Sequence, residues 1–169
     1  YDLTELQRDA NKRYGFSAKE TLNIMQRLYE HHKVLTYPRT DSRYIGSDIV
    51  PTIKERLKAC NIGPYKAYIP ALLKAPICTS KAFVDDKKVS DHHAIIPTEE
   101  YVQLDHMSNE ERKIYDLVVR RFISVLYPAY EYEQTTMKAA VQTSMQTSAK
   151  PSVATAVFGA KGQIVLKEG

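Results

Sequence analysis

Residues 35–43, Leu-Thr-Tyr-Pro-Arg-Thr-Asp-Ser-Arg, gather one phenol, two guanidinium groups, a carboxylate and several hydroxyls into a single short stretch. Pro38 follows Tyr37 directly, which drives the tyrosine toward extended backbone and bends the chain just beyond it. Donors packed this densely around a bend suit phosphate chemistry. A phenol has an ordinary pKa of about 10, so it attacks phosphorus only where its developing phenolate is stabilised and the non-bridging phosphate oxygens are neutralised. Arg39 fits the second task, because its fork of donors holds phosphate oxygens in fixed geometry and stays charged at any working pH. Tyr37 is the matching candidate nucleophile.

A plainer reading applies to the same residues. The chain has twelve tyrosines, and most tyrosines anchor cores or surfaces through one hydroxyl hydrogen bond. Arg39 with Asp41 also fits a local salt bridge that stiffens a turn, worth ~0–1 kcal/mol, and spacing alone favours it. A second polar block precedes an apolar run at Asp91-His92-His93-Ala94-Ile95-Ile96-Pro97-Thr98. Taken alone, a histidine at the head of such a run is a hydrogen-bonded structural residue.

The elements that must position these groups are punctuated clearly. Thr4-Glu5-Leu6-Gln7 is a capping box opening a helix that ends near Gly15, and Ser17-Ala18-Lys19-Glu20 opens a second one. In the second helix Leu22, Met25, Leu28 and Tyr29 recur at helical spacing up to His31. Residues 34–37 then read as a short strand. Ile49, Ile53, Leu57 and Cys60 predict a helix capped by Ser47 and stopped at Asn61-Ile62-Gly63-Pro64. A proline-punctuated mixture follows over 64–77. Two short strands are expected around 82–84 and 93–96, separated by the turn Asp85-Asp86-Lys87-Lys88. The longest helix starts at Ser108 with Glu111 completing its capping box, buries Tyr115, Val118, Phe122, Val125 and Leu126, and stops at Pro128. Beyond it the chain turns extended over 130–141, 153–158 and 163–166, with a Gln/Thr/Ser-rich bridge over 142–152. A domain boundary near residue 128 is the simplest account, and no internal repeat is present.

Composition sets the outer limits. With 43% hydrophobic and 26% charged residues the chain is neither disordered nor fibrous, and it has no apolar run of membrane-spanning length. Cys60 and Cys78 lie in unlike contexts without C-x-x-C spacing, so neither a zinc site nor a disulfide framework is expected, which fits a reducing cytoplasm. The net charge of +4 permits a polyanionic partner without demanding one. Basic pairs at Lys87-Lys88, Arg112-Lys113 and Arg120-Arg121 read first as solvated faces. The chain begins at Tyr1 without a methionine or a signal segment and is read as an internal piece of something longer.

Residues 35–42 resemble the active-site signature of type IA DNA topoisomerases, and residues 92–98 are similar to that family's His-x-Ala-Ile-x-Pro-Thr element downstream. Pro38, the short spacing from the preceding helix, and Ile96 look more like the topoisomerase III branch than the topoisomerase I branch. The resemblance implies a tyrosine that bonds transiently to the 5′ phosphate of a cut single strand, while the 3′ end is held so that another strand can pass. Tyr37 maps onto that nucleophile, Arg39 onto the arginine that binds the scissile phosphate, and His92 onto the histidine that assists. Arg39, Asp41, Arg43 and His92 form the expected DNA-contacting set. The fold implied is α+β: a mainly helical, winged-helix or CAP-like tyrosine domain with a small β-element over 1–128, then part of a β-strand arch domain over 129–169. Religation conserves the phosphodiester energy, so no ATP is required, in keeping with the lack of a G-x-x-x-x-G-K-[ST] loop. The family's Mg²⁺ is held by an acidic domain whose D-x-D-x-E pattern does not occur here, so no metal ligand is expected in this chain and the chain alone is expected to be inactive. Single-stranded or underwound DNA is the implied partner of a cytoplasmic enzyme, with no membrane and with a helicase as a co-worker.

Rival readings meet specific obstacles. A non-catalytic winged-helix DNA-binding module leaves the Tyr-x-Arg-Thr-Asp-Ser run without a role. Nicking enzymes of the replication-initiator type need two histidines separated by one apolar residue, and His92 and His93 are adjacent. Tyrosine recombinases place the nucleophile near the C-terminus, and Tyr37 comes too early. A pure protein-interaction domain stays open.

Overall fold

The first helix, α1 (Leu3–Tyr14), starts two residues earlier than its Thr4 box predicts. Asp2 is the cap: its carboxylate accepts the Glu5 amide at 2.7 Å and is itself held by Arg43 Nε at 2.6 Å. A charged acceptor at the positive end of the helix outcompetes a neutral threonine hydroxyl. Gly15 closes α1 in the left-handed region at φ 74°, where its N–H returns to the Asn11 carbonyl. The second helix, α2 (Ala18–Glu30), has the expected reciprocal box, with the Ser17 amide on Glu20 Oε2 at 2.7 Å and the Glu20 amide on Ser17 Oγ at 3.2 Å. It buries Ile24, Met25 and Leu28, whereas Tyr29 lies at the edge of the stripe and stays exposed.

The computed structural model describes residues 1–145 and 152–168. Where short strands were expected in the helical part, its described residues contain only two isolated bridges, an antiparallel one at Leu35–Pro97 and a parallel one at Ile45–Val84. A ladder cannot propagate here. Pro38 and Pro97 lack amide donors, and the Thr36 side chain takes the Ile96 amide at 3.0 Å in place of a backbone acceptor. The segments are nonetheless pinned, by Thr36 N–H to the Ile96 carbonyl at 3.0 Å and Thr98 N–H to the Val34 carbonyl at 3.1 Å.

The expected Ser47-capped helix is shorter and differently begun. A 3₁₀ turn over Val50–Thr52 precedes α3 (Ile53–Ala59), and Ser47 gives its amide and hydroxyl to Asp86 at 2.6 and 3.0 Å instead of capping. The proline-punctuated stretch holds a 3₁₀ turn, Gly63–Ala67, and α4 (Ile69–Lys74). The longest helix, α5 (Asn109–Leu126), has the Ser108–Glu111 box as predicted. Tyr115, Val118, Phe122 and Leu126 are buried along it, but Val125 is left exposed. Helices α1, α2 and α5 pack against one another, and α3 packs on α4. Fully buried Leu6, Leu28, Leu35, Leu57 and Ile95 belong to one core, each contributing ~1.5–3 kcal/mol by leaving water.

The chain divides into two units, Tyr1–Tyr127 and Pro128–Gly169. In the second, β1 (Glu131–Met145) and β2 (Ser152–Lys167) form an antiparallel ribbon, with Val141 opposite Ala156 and Glu133 opposite Ile164. β2 runs unbroken where two separate strands were expected. Gly159 and Gly162 stay out of the left-handed region, so they continue the strand instead of turning it. Of the polar bridge over 142–152, residues 142–145 and 152 belong to these strands, and 146–151 lie outside the described residues. The class is α+β.

Candidate active site

The site is built by sewing together two loops that are far apart in sequence. Thr40 Oγ1 donates to the His92 carbonyl at 3.0 Å and accepts the Ser42 amide at 3.1 Å. The Ser42 hydroxyl donates to the Lys88 carbonyl at 2.8 Å, and the Ala94 amide donates to the Tyr44 carbonyl at 2.8 Å. Thr40 and Ser42 are both buried. A buried hydroxyl left without partners costs ~1–3 kcal/mol, so this stitching fixes the 36–44 bend against 88–96.

Further clamps hold the two sides. Arg56 is buried and reaches from α3 to the Pro97 carbonyl, Thr52 Oγ1 and Glu99, each at 2.8 Å. Burial lowers its pKa, with Glu99 acting in the opposite direction. Arg27, near the end of α2, meets Glu111 of α5 at 2.7 Å. Burial pushes the Glu111 carboxyl upward, but Arg27, the Ser108 amide and His32 together hold it below its ordinary value.

Within this frame Tyr37 and His92 are in contact, with ring centroids 4.3 Å apart at 40°. Tyr37 also forms a T-shaped pair with Tyr29, centroids 5.5 Å apart at 80°. Such pairs are worth ~0.5–1.5 kcal/mol beyond area burial, enough to restrict the ring without burying the hydroxyl. Tyr37 lines an open cleft of about 570 Å³ with Tyr29, Glu30, Lys33, Leu35, Thr36 and Thr98. Three other tyrosines sit in more enclosed surroundings. Tyr115 and Tyr65 are buried, and burial pushes both phenols far above the ordinary range. Tyr1 is pushed up to about 12 by burial and by its hydrogen bond to Asp9. A phenol that must become a phenolate is poorly served by those surroundings.

The remaining predicted residues separate. Arg39 is exposed on the bend two positions after Tyr37 and forms no ion pair among the described residues, so the Arg39–Asp41 bridge that spacing favours is not made. Asp41 is exposed and accepts from Ser90 Oγ at 3.3 Å. Arg43 is drawn the other way, to Asp2 at 2.6 Å and Glu5 at 3.1 Å. Hydrogen bonding to Asp2 raises its pKa, and it lines a different cavity, about 220 Å³, with Tyr1, Phe83 and Phe122. The described residues contain no group of three His, Cys, Asp or Glu placed to hold a metal ion. Their donors therefore do not fit Mg²⁺.

Sequence reasoning missed Tyr29 and Lys33 as cleft residues. Tyr29 was assigned to the buried stripe of α2, and its seven-residue separation from Thr36 crosses a chain reversal that no periodicity reveals. Lys33 adopts φ 57°, the one non-glycine with positive φ among the described residues, a conformation costing roughly 1–2 kcal/mol for a residue with a Cβ.

A family model described as DNA topoisomerase matches residues 1–169. Among similar proteins, a DNA topoisomerase 3 of Bacillus cereus is 68% identical over 141 residues, covering 83% of this chain and 19% of that protein. A DNA topoisomerase 3 of Bacillus subtilis (strain 168) is 53% identical over 169 residues, covering 100% of this chain and 22% of that protein. The chain spans about a fifth of the length of these relatives.

Proposed function

The chain belongs to the DNA topoisomerase family, on its type IA, topoisomerase III-like branch, and from that premise we propose that it carries the nucleophile of an enzyme that cuts, passes and reseals single DNA strands without ATP. The observation that carries this reading is Tyr37 in contact with both His92 and Tyr29 at the wall of an open cleft.

In the proposed step the Tyr37 oxygen attacks the scissile phosphorus, the Tyr37 O–P bond forms as the P–O3′ bond breaks, and the phenol proton is passed on so that the 3′ oxygen leaves as a hydroxyl. Religation is the reverse, with the 3′ hydroxyl displacing the phenol. Arg39, exposed and free of ion pairs among the described residues, neutralises the non-bridging oxygens as charge builds on them. His92 keeps the Tyr37 ring in register with the phosphate and, in contact with that ring, moves the phenol proton. The Mg²⁺ that the resemblance implies belongs to a part of the full-length enzyme outside this chain, and no step here runs through it. We read the helical unit as a winged-helix-like tyrosine domain whose wing is reduced to bridges, and the ribbon as part of the arch domain. The proposed substrate is single-stranded or underwound DNA in the cytoplasm.

Tyr37→Phe tests the reading. The Tyr37 hydroxyl makes no hydrogen bond among the described residues, so its loss leaves the stability within ~0.5 kcal/mol of the parent. Relaxation of an underwound plasmid by the full-length enzyme with Mg²⁺ is expected to vanish. Retained relaxation at normal stability would remove Tyr37 from the chemistry.

A further inference from the structure

The end of α2 poses a problem that its neighbour α1 does not. Helices commonly reverse through one left-handed residue, which is usually glycine because it has no Cβ to crowd the following carbonyl. Gly15 does this for α1. At the end of α2 the left-handed position is filled by Lys33, φ 57°. The conformation is imposed from both sides: Thr98 Oγ1 donates to the Lys33 carbonyl at 2.6 Å, and the next amide, Val34 N–H, returns to the Leu28 carbonyl at 3.0 Å. Strain of this kind persists where the surroundings over-determine it and is concentrated at functional sites.

The lysine stands on the rim of the cleft that contains Tyr37. Among the described residues it makes no ion pair, unlike Arg27, Arg43 and Arg56, which each face a carboxylate. Glu30, the one carboxylate of the cleft lining, is not bridged to it either. Tyr29 adds an aromatic surface that is 37% exposed. Cation, aromatic surface and hydroxyls around an open cleft match the two halves of a nucleotide, a phosphate that seeks a cation and a base that stacks on a ring.

Resting on the reading of Tyr37 as nucleophile, we propose that Lys33 is a DNA-binding residue of this cleft, holding a backbone phosphate that flanks the scissile one. The competing explanation is a solvated cation beside the negative end of α2. The two differ in what glycine does. A helix-end cation that is removed takes stability with it, whereas replacing a strained lysine by glycine relieves the backbone and removes only the phosphate contact.

The experiment uses the full-length enzyme with a fluorescein-labelled single-stranded oligonucleotide, reading anisotropy across a salt series, the denaturant-trapped adduct and the melting temperature. Lys33→Gly and Lys33→Asn, both suited to the left-handed backbone, are expected to weaken binding several-fold, to flatten the slope of log affinity against log salt by about 0.7, and to leave melting unchanged or raised. Lys33→Arg, which retains the charge, is expected to bind like the parent. Unchanged affinity and salt slope in both Lys33→Gly and Lys33→Asn overturn the assignment. So does a lowered melting temperature in both that accounts for the binding loss. Tyr37→Phe, run in parallel, separates the two levels: an adduct that survives it sinks the nucleophile reading itself, whatever Lys33 does.

Discussion

Arg39 and Arg43 are four positions apart on the same bend and have opposite surroundings. Arg43 spends two of its donors on Asp2 and Glu5, while Arg39 is exposed and unpaired among the described residues. Spacing could not distinguish them, because the acceptor that captures Arg43 lies 41 residues upstream at the start of α1. Of the DNA-contacting set expected from sequence, His92 touches the Tyr37 ring, Arg39 is exposed on the same bend, and Arg43 is held by Asp2 and Glu5 at the α1 cap. Arg39→Ala is therefore expected to lower the cleavage rate of the full-length enzyme by about 2.7–4 kcal/mol of transition-state stabilisation, roughly a hundred- to a thousandfold. Its melting temperature should stay that of the parent, since no packing or ion pair is lost. Single-turnover cleavage measured together with a thermal melt checks this, and normal cleavage with a depressed melting temperature would make Arg39 structural.

At the scale of elements, legibility followed how local the determinants are. The boxes Ser17–Glu20 and Ser108–Glu111 close within one turn, and both stand where the sequence places them. The Thr4 box fails because a stronger acceptor, Asp2, sits two residues earlier and is fixed by a distant arginine. The strands expected over 34–37 and 93–96 have the right composition, but prolines and the Thr36 hydroxyl replace the ladder, so only the Leu35–Pro97 bridge forms. The segment carrying Tyr37 is thus anchored at Leu35, which is fully buried, more than by sheet hydrogen bonds. Leu35→Ala is expected to destabilise the chain by ~2–5 kcal/mol, the usual cost of a cavity at a fully buried leucine. In denaturant titrations this should shift the midpoint with an unchanged slope. A loss below about 1 kcal/mol would mean that the bend stands without that anchor.

Taken whole, the molecule has its proposed nucleophile in one unit and a two-stranded ribbon in the other. Both ribbon faces expose apolar side chains, Met137, Val141, Phe158 and Ile164 on one and Val157 and Val165, beside Lys138 and Lys161, on the other. Two strands alone are marginal in water. The helical unit supplies a tyrosine, a histidine in contact with its ring, an exposed arginine and a strained lysine, but its described residues hold no ligand set for a divalent ion. The central claim, that Tyr37 bonds covalently to DNA, is tested most directly by mapping the adduct. The full-length enzyme, given Mg²⁺ and labelled single-stranded DNA and quenched with denaturant, is digested and its labelled peptide sequenced by mass spectrometry. The label is expected on Tyr37, absent after Tyr37→Phe, and absent from the isolated 169-residue chain. A label on any other tyrosine, or one that persists in Tyr37→Phe, would contradict the account.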